Sequence, residues 1–179
     1  MRDCKLLTLV EVAHLLLAKL PKIKIAVDMT VGNGYDTVFL SDHFPIVYGF
    51  DIQTSALVKA KEKVVKDNVT LINDDHYNFA TYVDKVDLFV FNLGWLPGSD
   101  KEIKTSATSI SKTLDKCKAH LNKEGVICII CYNGSRLQRE ESEAVINWID
   151  KQNDFFVQQL ILPKSNNAPI LYILALKTI

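Results

Sequence analysis

Apolar residues along the chain fall into short runs that alternate with segments of helical spacing. Seven runs of five to eight residues are typical of buried strands, and they cover residues 24–29, 46–51, 69–73, 86–92, 126–132, 155–162 and 170–177. Apolar positions three and four apart predict helices over residues 35–43, 54–67, 105–121 and 136–151. This alternation predicts an α/β fold with a doubly wound sheet of seven strands, most of them parallel.

The connection between the last two predicted strands is only about seven residues long. A parallel crossover needs about a dozen residues or more, so this connection is too short to be one. We therefore expect the C-terminal strand to be antiparallel to the strand before it. With 179 residues, the chain has the length of one domain, and we expect a single domain over residues 1–179.

Residues 1–22 predict an N-terminal amphipathic helix. Its apolar residues recur at helical spacing and are Leu6, Leu9, Val10, Ala13, Leu16, Leu17 and Leu20. A secretory signal peptide is the alternative, but it requires an uninterrupted apolar stretch, and Glu11, His14 and Lys19 interrupt this one. No run reaches the roughly 18 apolar residues of a membrane span, so we expect a cytoplasmic protein without a membrane partner.

The composition is ordinary for a folded globular protein, with 48% apolar residues, 23% charged residues and a formal net charge of zero. It excludes a uniformly basic nucleic-acid binder, so contact with RNA would need a local basic patch.

Cys128 and Cys131 form a C-x-x-C motif, which occurs in redox and zinc sites. Residues three apart in a strand point to opposite faces, and the chain has no second pair. We therefore expect two core cysteines and no metal site.

The first strand is followed directly by a glycine-containing turn that runs from Asp28 to Thr37. Gly32 and Gly34 permit a sharp turn and a close approach to a ligand, and the next helix offers its first amides to an anion. A dinucleotide-binding fingerprint would have a third glycine where Thr37 stands. The turn predicts a cofactor loop, with Asn33 and Asp36 beside the glycines.

Acidic residues follow the second and third strands. Asp51 lies 23 residues after Asp28, where a carboxylate can accept hydrogen bonds from both hydroxyls of a ribose, and Gln53 is close to it. Asp75 and His76 follow the third strand, where side chains can contact an adenine edge. Each acidic residue alone is compatible with an ordinary position on the surface. His76 either contacts the cofactor or acts as a catalytic base. Together they predict an adenosine site, because ligands of open α/β sheets bind at the carboxyl ends of strands.

A polar residue, Asn92, ends the apolar fourth strand and begins the segment Asn92–Gly98. A buried amide needs hydrogen-bond partners, so Asn92 either faces a substrate or anchors the loop. Trp95 either stacks on a base or packs against the protein. Lys101, Lys104, Arg136 and Arg139 are expected at the same edge of the sheet, where they either bind phosphate or are solvated charges.

The chain resembles small bacterial class I methyltransferases of the rRNA methylase family, now linked to methylation of 5-(aminomethyl)-2-thiouridine at the tRNA wobble position. The resemblance covers nearly the whole chain. Its most specific segment is Phe91–Lys101, and the other matching segments are Ala13–His14, Asp28–Thr37, Gly49–Gln53, Asp74–His76, Tyr132–Gly134 and Asn166–Pro169. The chain departs from the family pattern, which usually has other residues at Tyr35, Trp95, Ser99 and Ser135. These departures bear on the substrate more than on the cofactor.

Taken with the motifs above, the resemblance implies a Rossmann-like methyltransferase with S-adenosylmethionine as cofactor and S-adenosylhomocysteine as product. It implies a tRNA anticodon region as partner, and a homodimer. The candidates to orient or deprotonate the substrate amine are Asn92, Asp28 and Asp100. We expect that Asn92 orients the amine and that Asp28 organises the cofactor loop. The implied cofactor contacts are Asp28, Gly32, Asn33, Gly34, Asp36, Asp51, Gln53, Asp75 and His76, and the implied substrate contacts are Trp95, Lys101, Tyr132 and Arg136.

Three alternatives stay open at this point. The first is a methyltransferase that acts on rRNA or on a small amine. The second is a nicotinamide-dependent oxidoreductase, disfavoured by Thr37 and by the short final connection, because nicotinamide-binding domains generally lack an antiparallel last strand. The third is a binding module without activity on a methyltransferase fold, which the departure at Ser135 keeps open.

Overall fold

The computed structural model describes residues 6–94, 107–162 and 167–177. The strands are β1 (Ile25–Asp28), β2 (Ile46–Phe50), β3 (Val69–Ile72), β4 (Val86–Leu93), β5 (Leu121–Cys131), β6 (Phe155–Ile161) and β7 (Ile170–Leu176). The helices are α1 (Leu9–Leu17), α2 (Tyr35–His43), α3 (Thr54–Lys61), α4 (Ala107–His120) and α5 (Arg136–Ile149), with a short 3₁₀ helix over His76–Thr81.

The strands form one sheet in the order β3-β2-β1-β4-β5-β7-β6. β1 to β5 are parallel to one another, whereas β7 is antiparallel to both β5 and β6. The α/β fold, the seven strands and the antiparallel last strand confirm the sequence prediction. The order reverses direction between β1 and β4, which is where ligands bind in open sheets of this kind.

The two faces of the sheet are covered by different helices, as the alternation along β4 shows. Phe89 and Phe91 lie in a core that includes residues of α4, α5 and the 3₁₀ helix. Leu88 and Val90 point to the other face, into a core that includes residues of α1 and α2. Because side chains alternate along a strand, Asn92 lies on the α1–α2 face.

Helix α1 is shorter than the predicted span of 1–22. It begins after Thr8, whose side chain accepts a hydrogen bond from the amide of Glu11, while Glu11 bonds back to the Thr8 amide in a capping box. It ends at Leu17, four residues before Pro21. Proline cannot donate a backbone hydrogen bond and disfavours helical geometry in the residue before it.

Other predicted boundaries of helices and strands are also wrong. α3 ends at Lys61 rather than at residue 67, and Val65 is 87% exposed, so a longer helix would gain no stability from burial of this side chain. β5 begins at Leu121, five residues before the predicted start at 126, and Leu121 pairs with Val86 across an irregularity in the register. The predicted helix 105–121 therefore stops at His120.

Cys117, Cys128 and Cys131 are buried and free. Cys128 packs in the core on the α1–α2 face and Cys131 in the core on the other face, which confirms the prediction of two core cysteines. Within the ranges that the structure describes, no helix combines the length and the apolar character needed to cross a membrane.

Candidate functional site

The predicted site residues of the first four strands lie at one edge of the sheet. In the parallel register, Asp28 at the end of β1 is level with Gly49 of β2 and Val90 of β4. Asp51 directly follows β2, and Asn92 lies two residues beyond Val90. This edge is the one that faces ligands in open α/β sheets.

The turn after β1 depends on glycine at position 34. Its φ angle is +81°, in the left-handed region that favours glycine. A Cβ atom at this position would also lie 2.8 Å from both Cα and Cβ of Ala60 in α3. The turn can therefore pass close to α3 only without a side chain. Gly32, with φ +51°, supplies the second left-handed residue.

Asp28 is fully buried and ties the two ends of this turn together. Its Oδ1 accepts a hydrogen bond from the amide of Thr30 at 3.0 Å, and its Oδ2 accepts one from the Thr37 hydroxyl at 2.6 Å. Burial, followed by the nearby charge of Asp36, raises the pKa of Asp28 to about 7. The Asp28 carboxyl group therefore holds the loop against α2, although burial and the charge of Asp36 disfavour its ionised form.

Asp51 is held by two backbone amides. Its Oδ2 accepts from Gly32 N at 2.9 Å, and its Oδ1 accepts from Gln53 N at 2.8 Å. A carboxylate oxygen has two lone pairs, so each oxygen keeps capacity for one further donor. The two hydroxyls of a ribose are donors of the kind that this fixed carboxylate fits.

His76 provides an acceptor without a donor. Its Nδ1 lies 3.0 Å from the carbonyl oxygen of Met29, and because a carbonyl only accepts, Nδ1 carries the hydrogen. Nε2 is buried and has no hydrogen-bond partner among the described residues. Burial lowers the pKa of His76, which favours the neutral ring. An unpaired buried acceptor beside the β1 turn fits a ligand that brings a donor, such as an adenosine.

The residue before it, Asp75, begins the 3₁₀ helix. Its side chain accepts a hydrogen bond from Tyr77 N at 2.8 Å, and this cap places His76 and Phe79 in the interior. The sequence pattern did not predict this helix, because it spans only His76–Thr81 and six residues are too few for a recognisable periodicity.

A chain of hydrogen bonds connects Asn92 to α1. The Asn92 amide donates to Thr30 Oγ1 at 2.8 Å, and its side-chain Nδ2 donates to Asp36 Oδ2 at 2.9 Å. The other oxygen of Asp36 lies 2.7 Å from His14 Nε2. The ring of His14 is stacked on Phe39, with centroids 3.9 Å apart and planes 3° from parallel. Residues from α1, α2 and β4 thus meet at one point.

Tyr132 follows β5 and lies over the exit of β4. A Cβ atom at Gly94 would come within 3.1 Å of the Tyr132 ring, so the ring packs on the backbone there. Burial, followed by the charge of Asp36, raises the pKa of Tyr132. The hydroxyl therefore stays protonated at neutral pH, close to the Asn92–Asp36 pair.

Other predicted site residues are placed differently. Trp95, Lys101, Lys104 and Asp100 lie outside the described residues. Arg136 begins α5 and donates through Nε to Glu140 at 2.8 Å, and its side chain is 87% exposed. Arg139 donates to the Asn133 carbonyl at 3.2 Å. Asn33 offers its carbonyl oxygen to Lys63 at 2.7 Å.

Three residues of this site were not predicted as site residues. Thr37 was considered only as the position where a dinucleotide fingerprint has glycine, and Thr30 was not considered. The Thr37 hydroxyl nevertheless donates to Asp28, and the Thr30 hydroxyl accepts a hydrogen bond from the amide of Asn92. His14 belonged to a segment that resembles the family, without a role. A polar residue on the inward side of an amphipathic helix, next to buried Ala13 and one turn before Leu17, was the available signal.

Comparison with protein families gives a match to the family described as "Putative rRNA methylase", over residues 47–175. A curated relative is the chloroplastic tRNA (mnm(5)s(2)U34)-methyltransferase of Arabidopsis thaliana. It is 32% identical over 154 residues, or 75% of this chain. The match spans 56% of that relative's length, so the chain corresponds to little more than half of it.

Solved structures give similar matches over nearly the whole chain. A protein of the same rRNA-methylase description from Clostridium thermocellum has a TM-score of 0.87 and 32% identity, covering 96% of this chain and 99% of that one. A "putative methyltransferase" from Streptococcus mutans, solved in complex with S-adenosylhomocysteine, has a TM-score of 0.84 and 33% identity with the same coverage. The chain therefore belongs to the rRNA methylase family, on the fold of class I methyltransferases.

Proposed function

We propose that this chain is a cytoplasmic S-adenosylmethionine-dependent methyltransferase that methylates the amine of a 5-aminomethyl group on the wobble uridine of tRNA. The observation that carries the proposal is the position of Asn92. Its NH₂ group is committed to Asp36, so its carbonyl oxygen is the end that can accept a hydrogen bond from an amine. Asn92 lies at the carboxyl ends of the parallel strands, next to the glycine turn, where a cofactor and a methyl-accepting substrate can meet.

The residues of the β1 turn fit the cofactor. S-adenosylmethionine supplies an electrophilic methyl group on a sulfonium. We assign Asp51 and Gln53 to its ribose, and Asp75 and His76 to its adenine. Gly32, Asn33 and Gly34 form the adjoining loop. Asp28 and Asp36 hold that loop from below, because both are buried and bonded to residues of α2, β4 or the turn.

The substrate amine must be neutral to react. A primary alkylamine with a pKa of about 10.4 is almost fully protonated at pH 7, and removal of the proton costs roughly 4.6 kcal/mol. A partly buried edge disfavours the charged form, which reduces this cost. The carbonyl oxygen of Asn92 then accepts an N–H hydrogen and directs the nitrogen lone pair towards the methyl group.

The tRNA substrate rests on the name of the Arabidopsis relative and on the positions of Tyr132 and Arg136. We assign Trp95, Lys101, Tyr132 and Arg136 to RNA contact. Tyr132 already lies at the exit of β4, and Arg136 is largely exposed where a phosphate could replace Glu140 as its partner. Phosphate contacts release counterions, so affinity for tRNA should fall steeply with salt. A flat salt response would contradict RNA binding.

The experiment has two parts. Isothermal titration with S-adenosylhomocysteine should give binding, and absence of binding would favour a module without activity. Purified protein with labelled cofactor should then transfer label to tRNA from a strain deleted for the corresponding gene, and mass spectrometry should find the N-methylated wobble uridine. Label found in rRNA or in a small amine instead would overturn the tRNA substrate and leave the methyltransferase assignment standing.

We also propose a homodimer through the edge strand β6. Its outward side chains include Phe156, 65% exposed, and Leu160, which together with Leu16 of α1 lines a cavity of about 320 Å³. Exposed apolar edge strands favour pairing with a second strand, and a second copy presents the same edge. Light scattering should give a dimer that Phe156→Glu dissociates, whereas Val65→Glu, at an exposed position after α3, should not. A wild-type monomer at all concentrations would refute this.

A further inference from the structure

We propose that His14 and Asp36 are positioning residues that fix the side-chain amide of Asn92, so that its carbonyl oxygen faces the substrate amine. This inference rests on the role proposed above for Asn92. It adds a contribution from α1, an element that has no place in the cofactor loop.

The orientation of the Asn92 amide follows from its partner. Nitrogen and oxygen of an asparagine amide are nearly alike in shape, and only their partners distinguish them. Asp36 Oδ2, at 2.9 Å, belongs to a carboxylate that only accepts, so the group facing it is the NH₂. The backbone of Asn92 is fixed as well, through its bond to Thr30. The carbonyl oxygen is therefore turned away from Asp36.

Asp36 in turn needs a second donor. It is only 7% exposed and lies near the carboxyl group of Asp28, whose pKa its charge raises. A buried carboxylate that loses a donor is strongly destabilised. His14 Nε2 supplies that donor at 2.7 Å, and the carboxylate requires Nε2 to carry the hydrogen. Without His14, the Asp36 side chain would be free to rotate, and the NH₂ of Asn92 would lose its defined acceptor.

His14 is itself fixed from two sides. Its ring stacks on Phe39 of α2. Its helix is anchored to the sheet by Leu9, Ala13 and Leu17, all buried in the core on that face. The Thr8–Glu11 capping box sets where the helix begins. Packed helices, and not a loop, thus hold the imidazole of His14 next to Asp36.

The arrangement also has an electrostatic consequence. In the reaction the amine nitrogen's lone pair forms the new N–C bond while the C–S bond of the methyl donor breaks and its electron pair stays on sulfur. The nitrogen becomes positive and afterwards loses a proton to water. A carboxylate behind the Asn92 amide polarises it and makes the carbonyl oxygen more negative, because hydrogen bonds in a chain strengthen one another. That oxygen then stabilises the positive charge as it develops.

The test compares three variants by kcat, by KM for tRNA and by affinity for S-adenosylhomocysteine. His14→Leu keeps bulk but removes the donor, and we expect kcat to fall about 10- to 100-fold with KM and cofactor affinity nearly unchanged. His14→Gln keeps a donor and should restore most of the activity. His43→Leu is the matched control, because His43 also contacts the Phe39 ring but does not bond to Asp36, and its kcat should equal that of the wild type.

A second readout does not depend on turnover. In ¹⁵N-labelled protein, the side-chain NH₂ signal that disappears in Asn92→Ala should be displaced from the usual amide position in the wild type. It should move back in Asp36→Ala and in His14→Leu. Unchanged kcat in His14→Leu, or an NH₂ signal insensitive to His14, would overturn this inference. If wild-type protein methylates no tRNA while the NH₂ signal responds as stated, the proposed function fails and the positioning role stands.

Discussion

The hydroxyl of Thr37 lies 2.6 Å from Asp28 Oδ2 and donates its hydrogen to it, with both side chains completely buried. The bond spans nine residues and joins the end of β1 to the first turn of α2, so the cofactor loop is closed at its base. It stabilises the ionised form of a carboxyl group that burial otherwise opposes.

Removal of this hydroxyl should be costly. In Thr37→Val the shape is nearly kept, but Asp28 loses a donor inside the protein, and we expect unfolding free energy to fall by about 1–3 kcal/mol. The pKa of Asp28 should rise further. Urea denaturation measures the first effect. Thr37→Ser keeps the hydroxyl and should lose less stability than Thr37→Val, and the reverse order would refute the role of the bond.

The raised pKa of Asp28 predicts a pH dependence of stability. The usual aspartate value is 3.8 and the folded value is about 7, so between these the folded state binds the proton more tightly than the unfolded chain. Its contribution therefore favours folding at low pH and is lost as pH rises from about 4 to about 7. Asp28→Asn should remove this loss, so that its unfolding free energy declines less than the wild type's over that range.

The comparison with a variant is needed because other groups titrate as well. Burial raises the pKa of Glu141 to about 7, which acts in the same direction, whereas the lowered pKa of His76 acts in the opposite one. Asp42→Asn is the control. Asp42 is exposed, and its hydrogen bond with Lys66 lowers its pKa, so it stays ionised over most of the window. An Asp28→Asn slope equal to the wild-type slope would contradict the prediction.

Gly34→Ala should disrupt the cofactor loop. The left-handed φ costs a residue with a side chain about 1–2 kcal/mol, and the added Cβ would meet the backbone of Ala60 at 2.8 Å. We expect lower thermal stability and loss of S-adenosylhomocysteine binding by calorimetry. Gly134→Ala is a matched control, because its Cβ would meet only the flexible end of Gln138, at 3.2 Å. Equal effects of the two substitutions would speak against the proposed loop.

Asn92→Ala separates catalysis from cofactor binding. If Asn92 orients the amine, kcat should fall by about two orders of magnitude while affinity for S-adenosylhomocysteine changes little. Asn122→Ala provides the comparison, since Asn122 also donates to an aspartate, Asp87, but at the opposite end of the sheet. Parallel losses of turnover and of cofactor affinity in Asn92→Ala would place this residue in the cofactor site instead.

The sequence pattern predicted the sheet well because strands and their ends depend on local signals. A run of apolar residues marks β4 or β5, and a polar residue such as Asp51 or Asn92 marks where the run ends. Parallel strands bring those ends together whatever the details of packing. The sequence alone therefore predicts that one end of the parallel strands carries Asp28, Asp51 and the Asp75–His76 pair.

The contact between His14 and Asp36 could not be predicted in this way. The two residues are 22 positions apart, on two helices whose relative rotation is set by packing of Leu9, Ala13 and Leu17 against the sheet. No local pattern encodes that rotation. The start of β5 was missed for a similar reason, since Leu121 joins β4 only through an irregular register at Val86.

The position of β7 between β5 and β6 has a consequence for how the chain folds during translation. β6 is synthesised before β7, yet among the described strands its partner is β7 alone, and β7 separates it from β5. A nascent chain that has emerged up to residue 161 can form the five parallel strands. In this state β5 has an unpaired backbone edge, and β6 lacks the strand with which it pairs in the finished sheet. Such an edge is prone to wrong pairing. Completion of this half of the sheet therefore waits until Ile170–Leu176 has been synthesised and can pair with β5 and β6.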